Sequence, residues 1–376
     1  MNKLITALLF VTLLQFCLTG SVQDHGLLKV QGNRVVDHSG KSVVLRGMSL
    51  FWSQWGDKWY NEQTIDWLVS DWNINLVRCA MAVDKGGYLD HPDQERAKVE
   101  TVIQAAIKND IYVIVDWHTD QNPYTEQAKS FFRTMAQKWG SHANIIWETY
   151  NEPLISWPQI KAHHEAVIHE IRQFSQNLVS AGTPNWSQDV DVAARDPVND
   201  ANTAYTLHFY APVHKQSFRD KAENAMNMGK AIFITEWGTG SDAGLDLNES
   251  AIWLNWCAQH GISNANWGVY DKNEPFAALK PGASGTGGWP QSMLTEDGQW
   301  VRNYIVTGKP GNTPTPPSGS GCCSWDGGNS CGQTSDWCAH NKTHCINECQ
   351  GTWKPDGMQY NSYIAYKRFL RTSSQF

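Results

Sequence analysis

Ile111–His118 reads IYVIVDWH, and the order of those residues decides the fold. An apolar run without polar alternation suits a strand buried on both faces, the habit of a parallel sheet, and this run stops at Asp116 and His118. Working outward, runs of the same kind fall at Val43–Leu50, Ile74–Met81, Asn144–Asn151, Leu178–Thr183, Ala204–Tyr210, Ile232–Trp237 and Ile262–Trp267. Segments with helical periodicity lie between them, among them Asp93–Asn109, Glu126–Trp139, Pro158–Asn177 and Glu249–Gln259. Eight strand–helix units in about 285 residues predict an α/β fold, a (β/α)8 TIM barrel. A doubly wound sheet fits less well, because no glycine-rich phosphate loop follows an early strand. Val30–Val44 reads as a hairpin ahead of the barrel.

The flanks of this body have other compositions. Met1–Ser21 carries Lys3, an apolar stretch from Leu4 to Leu14 and then small and polar residues, the pattern of a secretory signal peptide. A secreted, extracellular protein is therefore expected, with cleavage near Gly20 or Ser21. The barrel is assigned to residues 22–308. Residues 309–321, KPGNTPTPPSGSG, lack periodic apolar positions and read as a semi-extended linker. Of nine cysteines, six (Cys322, Cys323, Cys331, Cys338, Cys345 and Cys349) crowd into the segment 322–357 that follows. There is no CxxC there and no zinc-finger histidine, so a small disulfide-stapled module is the stronger reading. Once a bridge between the adjacent Cys322 and Cys323 is discarded as strained, twelve of fifteen pairings stay open. Trp325, Trp337 and Trp353 would be free to act as surface rings in a carbohydrate-binding module, or would pack on the cystines of a plain disulfide knot. Residues 358–376 form a tail.

Thirty Lys and Arg against 37 Asp and Glu give a formal charge of −7, which disfavours a nucleic-acid partner held by a general electrostatic field. No run after the N-terminus is long enough to cross a bilayer. Nineteen tryptophans exceed what a core of this size needs, and exposed flat rings grip sugars. Those in helices, such as Trp67, Trp139 and Trp253, read as core; Trp55, Trp186 and Trp267 are the candidates for sugar stacking.

Polar residues cluster where the apolar runs stop, and in a barrel those stops form the catalytic face. In order they are Arg78, Asp116-Trp117-His118, Asn151-Glu152-Pro153, His208-Phe209-Tyr210, Glu236-Trp237-Gly238 and Asn266-Trp267. Glu152 and Glu236 are 84 residues apart, about 28 for each of three βα units. Parallel strands put both on one rim across the barrel mouth, the arrangement glycoside hydrolysis requires. A lone glutamate at a strand end is ordinarily a solvated or paired residue; the two together, beside histidine and arginine on neighbouring strands, are the signal. HHEAVIHE, from His163 to Glu170, is not a zinc site: His164 and His169 stand about 140° apart on a helix, so the stretch reads as a solvated face.

With those residues in hand, the chain resembles glycoside hydrolase family 5. LVRCAM, VDWH, NEP, LHFY and TEWG occur in the family's order. GMSLFW, GTPNWSQDV, ARDP and ISNANW…DKNE resemble its bacterial-type endoglucanase branch. The likeness runs from about Gly26 to Gly308. It implies a (β/α)8 barrel with no metal or other cofactor, acting on internal β-1,4-glucosidic bonds of cellulose with retention, as a monomer. Carried over residue by residue, Glu152 matches the acid/base and Glu236 the nucleophile. Asn151 matches the partner of the 2-hydroxyl. Arg78 and Tyr210 match the groups that aim the nucleophile, and His118 and His208 the histidines of the cleavage site. Trp267 matches the platform under the reacting sugar, Trp55 and Trp186 flanking platforms, and Lys272 and Glu274 polar contacts on the glycone side. Some members carry His where Phe51 stands and Tyr where Ala82 stands, which bears on the glycone-side hydrogen bonds. The same barrel working on another β-glycan, such as mannan or mixed-linkage glucan, and a non-catalytic lectin are the alternatives.

The roles make physical sense independently. One carboxyl must stay protonated to serve the leaving oxygen while its partner stays ionised to attack. Arg78 and a phenol are expected to lower the pKa of Glu236, and desolvation with a second carboxylate to raise that of Glu152. A carboxyl separation of about 5–5.5 Å is expected for retention.

Overall fold

The computed structural model describes residues 21–310 except 275, together with the backbone of three short strands, Gly321–Trp325, Gly328–Asn329 and Thr352–Pro355. The expected signal peptide is outside the described residues except for Ser21, which opens a short helix to His25. The tail at 358–376 and the side chains of the six clustered cysteines and of Trp325, Trp337 and Trp353 also lie outside them.

Eight parallel strands close into a barrel: β1 (Arg46–Leu50), β2 (Leu76–Ala82), β3 (Tyr112–His118), β4 (Ile145–Glu148), β5 (Val179–Ala181), β6 (Thr203–Tyr210), β7 (Ile232–Gly238) and β8 (Asn264–Val269), with β8 returning to pair with β1. A helix follows each: α1 (Glu62–Trp72), α2 (Pro92–Lys108), α3 (Thr125–Trp139), α4 (Trp157–Arg172), α5 (Val190–Arg195), α6 (Gln216–Asn227), α7 (Leu247–His260) and α8 (Glu296–Thr307). The expected hairpin is present, Lys29–Gln31 pairing antiparallel with Arg34–Val36. No described helix is long and apolar enough to cross a membrane.

The strand alternation explains the division of labour. On β3, Val113, Val115 and Trp117 join the large apolar cluster that includes the helices, whereas Tyr112 and Ile114 belong to a second cluster with Leu76, Ile146, Ala204, Phe233, the hairpin's Val35 and Leu28 just before the hairpin. That second cluster fills the lower barrel. Two and four residues beyond Ile114 on the same inward face stand Asp116 and His118, and on β2 and β6 the matching positions are Arg78 and His208. The period of two thus carries each strand from an apolar plug to a polar top.

Several expectations shift. β4 ends at Glu148, so Asn151 and Glu152 lie beyond the strand rather than within it. β5 is only Val179–Ala181. β8 begins at Asn264 and runs to Val269, which puts Trp267 inside the strand. α4 stops at Arg172, five residues early, because Ser175 and Asn177 bond each other at 2.6 Å and the Asn177 amide donates to the carbonyls of His142 and Ile145. The solvated face at 163–170 is a correction: His169 is exposed, but His163 and His164 are buried. They share the stripe Ile160, Val167, Ile171 and hydrogen-bond the carbonyls of Thr149 and Gly182, and burial holds His163 down to about 4 and His164 to about 3. Trp253 is core as expected, whereas Trp67 and Trp139 are only half-buried.

Candidate active site

Arg78 is the hub. It is fully buried, so its charge survives only through its partners. Nε donates to Glu148 at 2.7 Å, Nη1 to Glu236 at 2.9 Å, and Nη2 to Asn151 Oδ1 at 2.7 Å, with Asp116 2.9 Å from Nη2. Burial opposes the guanidinium charge, but Asp116, Glu148 and Glu236 more than offset it, and the proton is held more tightly than in water.

Glu148, Glu236 and the nearby Glu152 outnumber the one cation, and the excess negative charge recruits a proton at His208. Burial works against that imidazolium, yet Glu236, Glu148 and Glu152 prevail and its pKa is pushed up to about 9. Its Nδ1 faces Glu152 Oε1 at 3.1 Å and its Nε2 faces Thr235 Oγ1 at 2.8 Å. His118 goes the other way: burial first, then Arg78, bring it down to about 3, so it stands neutral 2.6 Å from Asp116. Burial pushes Asp116 upward against the pull of Arg78, whereas Arg78 and His208 draw Glu148 down despite its burial.

Glu236 receives a second donor, the Tyr210 hydroxyl at 2.5 Å. A bulge aims it there. Between the pairs Thr206–Phe233 and His208–Glu236 the register of β7 slips by one residue. Plain alternation from Phe233 would send Thr235 inward and Glu236 out; with the extra residue both serve the interior. Thr235 donates to Glu148 at 2.5 Å while Glu236 meets Arg78 and Tyr210.

Carboxylate oxygens of Glu152 and Glu236 and a ring nitrogen of His208 all lie within 4.8 Å of one another. Glu152 and Glu236 share one cavity with Phe51, Trp52, Trp55, His118, Asn151, Tyr210, Trp267, Lys85 and Asp120. Trp55 is 38% exposed, which leaves a ring face for a ligand, and Trp267 stacks on His118 with planes 2° apart. The structure therefore brings together Arg78, His118, Asn151, Glu152, His208, Tyr210, Glu236, Trp55 and Trp267. Lys272 stands 4.6 Å from the ring centroid of Phe51, which lines the cavity, and Glu274 accepts from Tyr270 at 3.2 Å; neither lines the cavity itself. Trp186 does not line it either. It is half-buried on a turn after β5, its backbone N–H donating to Pro153 at 3.3 Å. Glu152, His208 and Glu236 are the described residues close enough to share a cation, but Arg78 and Tyr210 already donate to the Glu236 carboxylate, which suits the pair of acids to proton and glycosyl transfer.

Sequence reasoning missed Glu148, Thr235, Trp52 and Lys85. Glu148 was findable: a carboxylate in the apolar run NIIWETYN cannot sit in a strand buried on both faces without a cation, and Arg78 in LVRCAM poses the same demand from the other side. Lys85 belongs to a loop between β2 and α2, with nothing periodic to mark it.

A family model for cellulase (glycosyl hydrolase family 5) matches residues 36–273. The endoglucanase of Clostridium saccharobutylicum is 43% identical over 291 residues, 74% of this chain and 65% of that protein. Endoglucanase Z of Dickeya dadantii is also 43% identical, over 77% of this chain and 70% of its own length. The chain thus spans about two thirds of these relatives. Among solved structures, one from Cytophaga hutchinsonii superposes with a TM-score of 0.75 at 44% identity, covering 76% of this chain and 96% of that one. The catalytic domain of Thermobifida fusca endoglucanase Cel5A gives 0.72 at 31% identity, with 76% and 98% covered. The buried arginine hub, the facing glutamates and the matched span converge: the chain belongs to the cellulase family, glycosyl hydrolase family 5, a family of glycoside hydrolases.

Proposed function

We propose that the protein is an endo-β-1,4-glucanase that cuts internal bonds of cellulose with retention at the anomeric carbon. The observation that carries this is the approach of Glu152 and Glu236 to within 4.8 Å at their nearest oxygens, against about 5–5.5 Å between carboxyls for retention and about 6.5–9.5 Å for inversion. Glu236, aimed by Tyr210 and Arg78, attacks the anomeric carbon as the glycosidic C–O bond breaks and Glu152 passes its proton to the departing oxygen. The product of that step is a glycosyl ester on Glu236. Glu152, now ionised, takes a proton from water, whose oxygen attacks the same carbon and releases Glu236. Asn151, its oxygen pinned by Arg78 at 2.7 Å, would present its amide to the 2-hydroxyl.

Cellulose is favoured as substrate by the names of the relatives, which are endoglucanases of bacteria. Release of reducing ends from carboxymethylcellulose, lichenan and mannan, parent against Glu236→Gln, tests the assignment. Hydrolysis of the first with loss in the variant supports it; a preference for mannan would move the substrate to another β-glycan, and equal values for parent and variant would leave a lectin. Secretion, supported by the signal pattern in Met1–Ser21, is part of the proposal, as is a monomeric state. So is a disulfide-stapled module at 322–357 that holds the enzyme on insoluble glucan through the linker, supported by its six cysteines and three tryptophans.

A further inference from the structure

Asn185, Trp186 and Ser187 occupy the left-handed region in succession, with φ of 57°, 57° and 56°. A non-glycine residue is strained there, and three in a row persist only where neighbours over-determine them. Those neighbours are the residues on either side of Glu152. The Ser187 hydroxyl donates to the Asn151 carbonyl at 2.6 Å and accepts from the Thr183 N–H at 3.3 Å. The Trp186 N–H donates to Pro153 O at 3.3 Å. From the opposite flank, the N–H groups of Asn151, Glu152 and Leu154 donate to the carbonyls of Trp117, Thr119 and Asp120. Since β4 ends at Glu148, no ladder holds the Asn-Glu-Pro segment; these contacts fix its backbone, while Arg78 holds the Asn151 side chain. Ser187 is fully buried, so loss of its hydroxyl takes from the Asn151 carbonyl a donor shielded from solvent.

We propose that Ser187 is a positioning residue for the acid/base, setting the carboxyl of Glu152 against the departing oxygen through the backbone of Asn151. This rests on the role given to Glu152 above. A residue that acts only through the acid matters in proportion to how much protonation the leaving group needs. Ser187→Ala is therefore expected to lower kcat/KM about tenfold on cellotetraose, and less than twofold on 2,4-dinitrophenyl β-cellobioside, whose phenolate departs unprotonated. On that activated substrate kcat should still fall, because Glu152 is the base for water in the second step, so KM falls with it. Ser187→Gly removes the same hydroxyl while relieving the backbone, and must give the same pattern if the hydroxyl is what counts. Equal loss of kcat/KM on both substrates, or no loss on cellotetraose in either variant, overturns the proposal. Failure of the parent to cleave either substrate would instead strike at the assignment of Glu152 and Glu236.

Discussion

Arg78 and the acids around it show how one buried cation organises a site. Asp116, Glu148 and Glu236 all approach within 2.9 Å, so one guanidinium holds three acidic side chains in place. The excess negative charge is answered at His208, raised to about 9 from an ordinary value near 6.5. In that direction the histidine's contribution to stability is fully present below about pH 6.5 and is lost as the pH climbs through 9. His208→Gln should therefore be destabilised most at pH 6, with the gap in midpoint of urea unfolding closing by pH 10. A gap that widens towards alkaline pH would mean that His208 is neutral in the folded protein. At this scale the sequence was most informative where a charge interrupted an apolar run. Arg78, Glu152, Glu236 and the two strand-end histidines were visible for that reason. Glu148 carried the same mark, and Thr235 carried none, since an uncharged residue in a strand asks for no partner.

Elements were legible where their period was long and unbroken. The helices after β2 and β3 match expectation to within one residue at each end, and all eight barrel strands were found, though not the short antiparallel pair Gly240–Ser241 and Gly244–Leu245. What could not be seen is the slip in β7, because a bulge depends on how two strands meet rather than on either alone. The early end of β4 belongs with it: the apolar run continues to Tyr150, yet pairing stops at Glu148 and the segment turns towards the loop after β3. Polarity assigns His163 and His164 to solvent, yet they share the stripe of Ile160 and Val167, and the period is the better guide. Packing also outranks propensity in α8. Alanine is worth about 1 kcal/mol more than glycine in a helix, so Gly298→Ala would stabilise an isolated α8. In the barrel, a Cβ at Gly298 would stand 2.0 Å from the Ala278 carbonyl. Gly298→Ala should lose about 1–3 kcal/mol or more, read as a lower thermal midpoint; an unchanged or raised midpoint would contradict that close approach.

Over the whole molecule, the barrel's last helix closes at Gly308, in the left-handed conformation with its N–H on Tyr304, and the proline-rich stretch begins just beyond. The composition shift at that point marked the boundary in the sequence, whereas six clustered cysteines allow too many pairings for their frame to be read from spacing. If the barrel is a self-sufficient unit, a chain ended at Pro310 keeps its thermal midpoint and its rate on carboxymethylcellulose within about twofold, and is retained less on insoluble cellulose than the full chain. Equal retention of the two would remove the binding role from the C-terminal segment. A collapse in midpoint would show that the barrel leans on it.

The pairing of Glu152 with Glu236 is tested most directly by trapping. With 2,4-dinitrophenyl 2-deoxy-2-fluoro-β-cellobioside, the fluorine slows both steps and the good leaving group lets the first proceed, so the glycosyl ester accumulates. Peptide mass mapping should then find one fluorocellobiosyl group, on Glu236. An adduct on Glu148 or Glu152, or turnover of natural substrate by a protein that never forms an adduct, would contradict the mechanism.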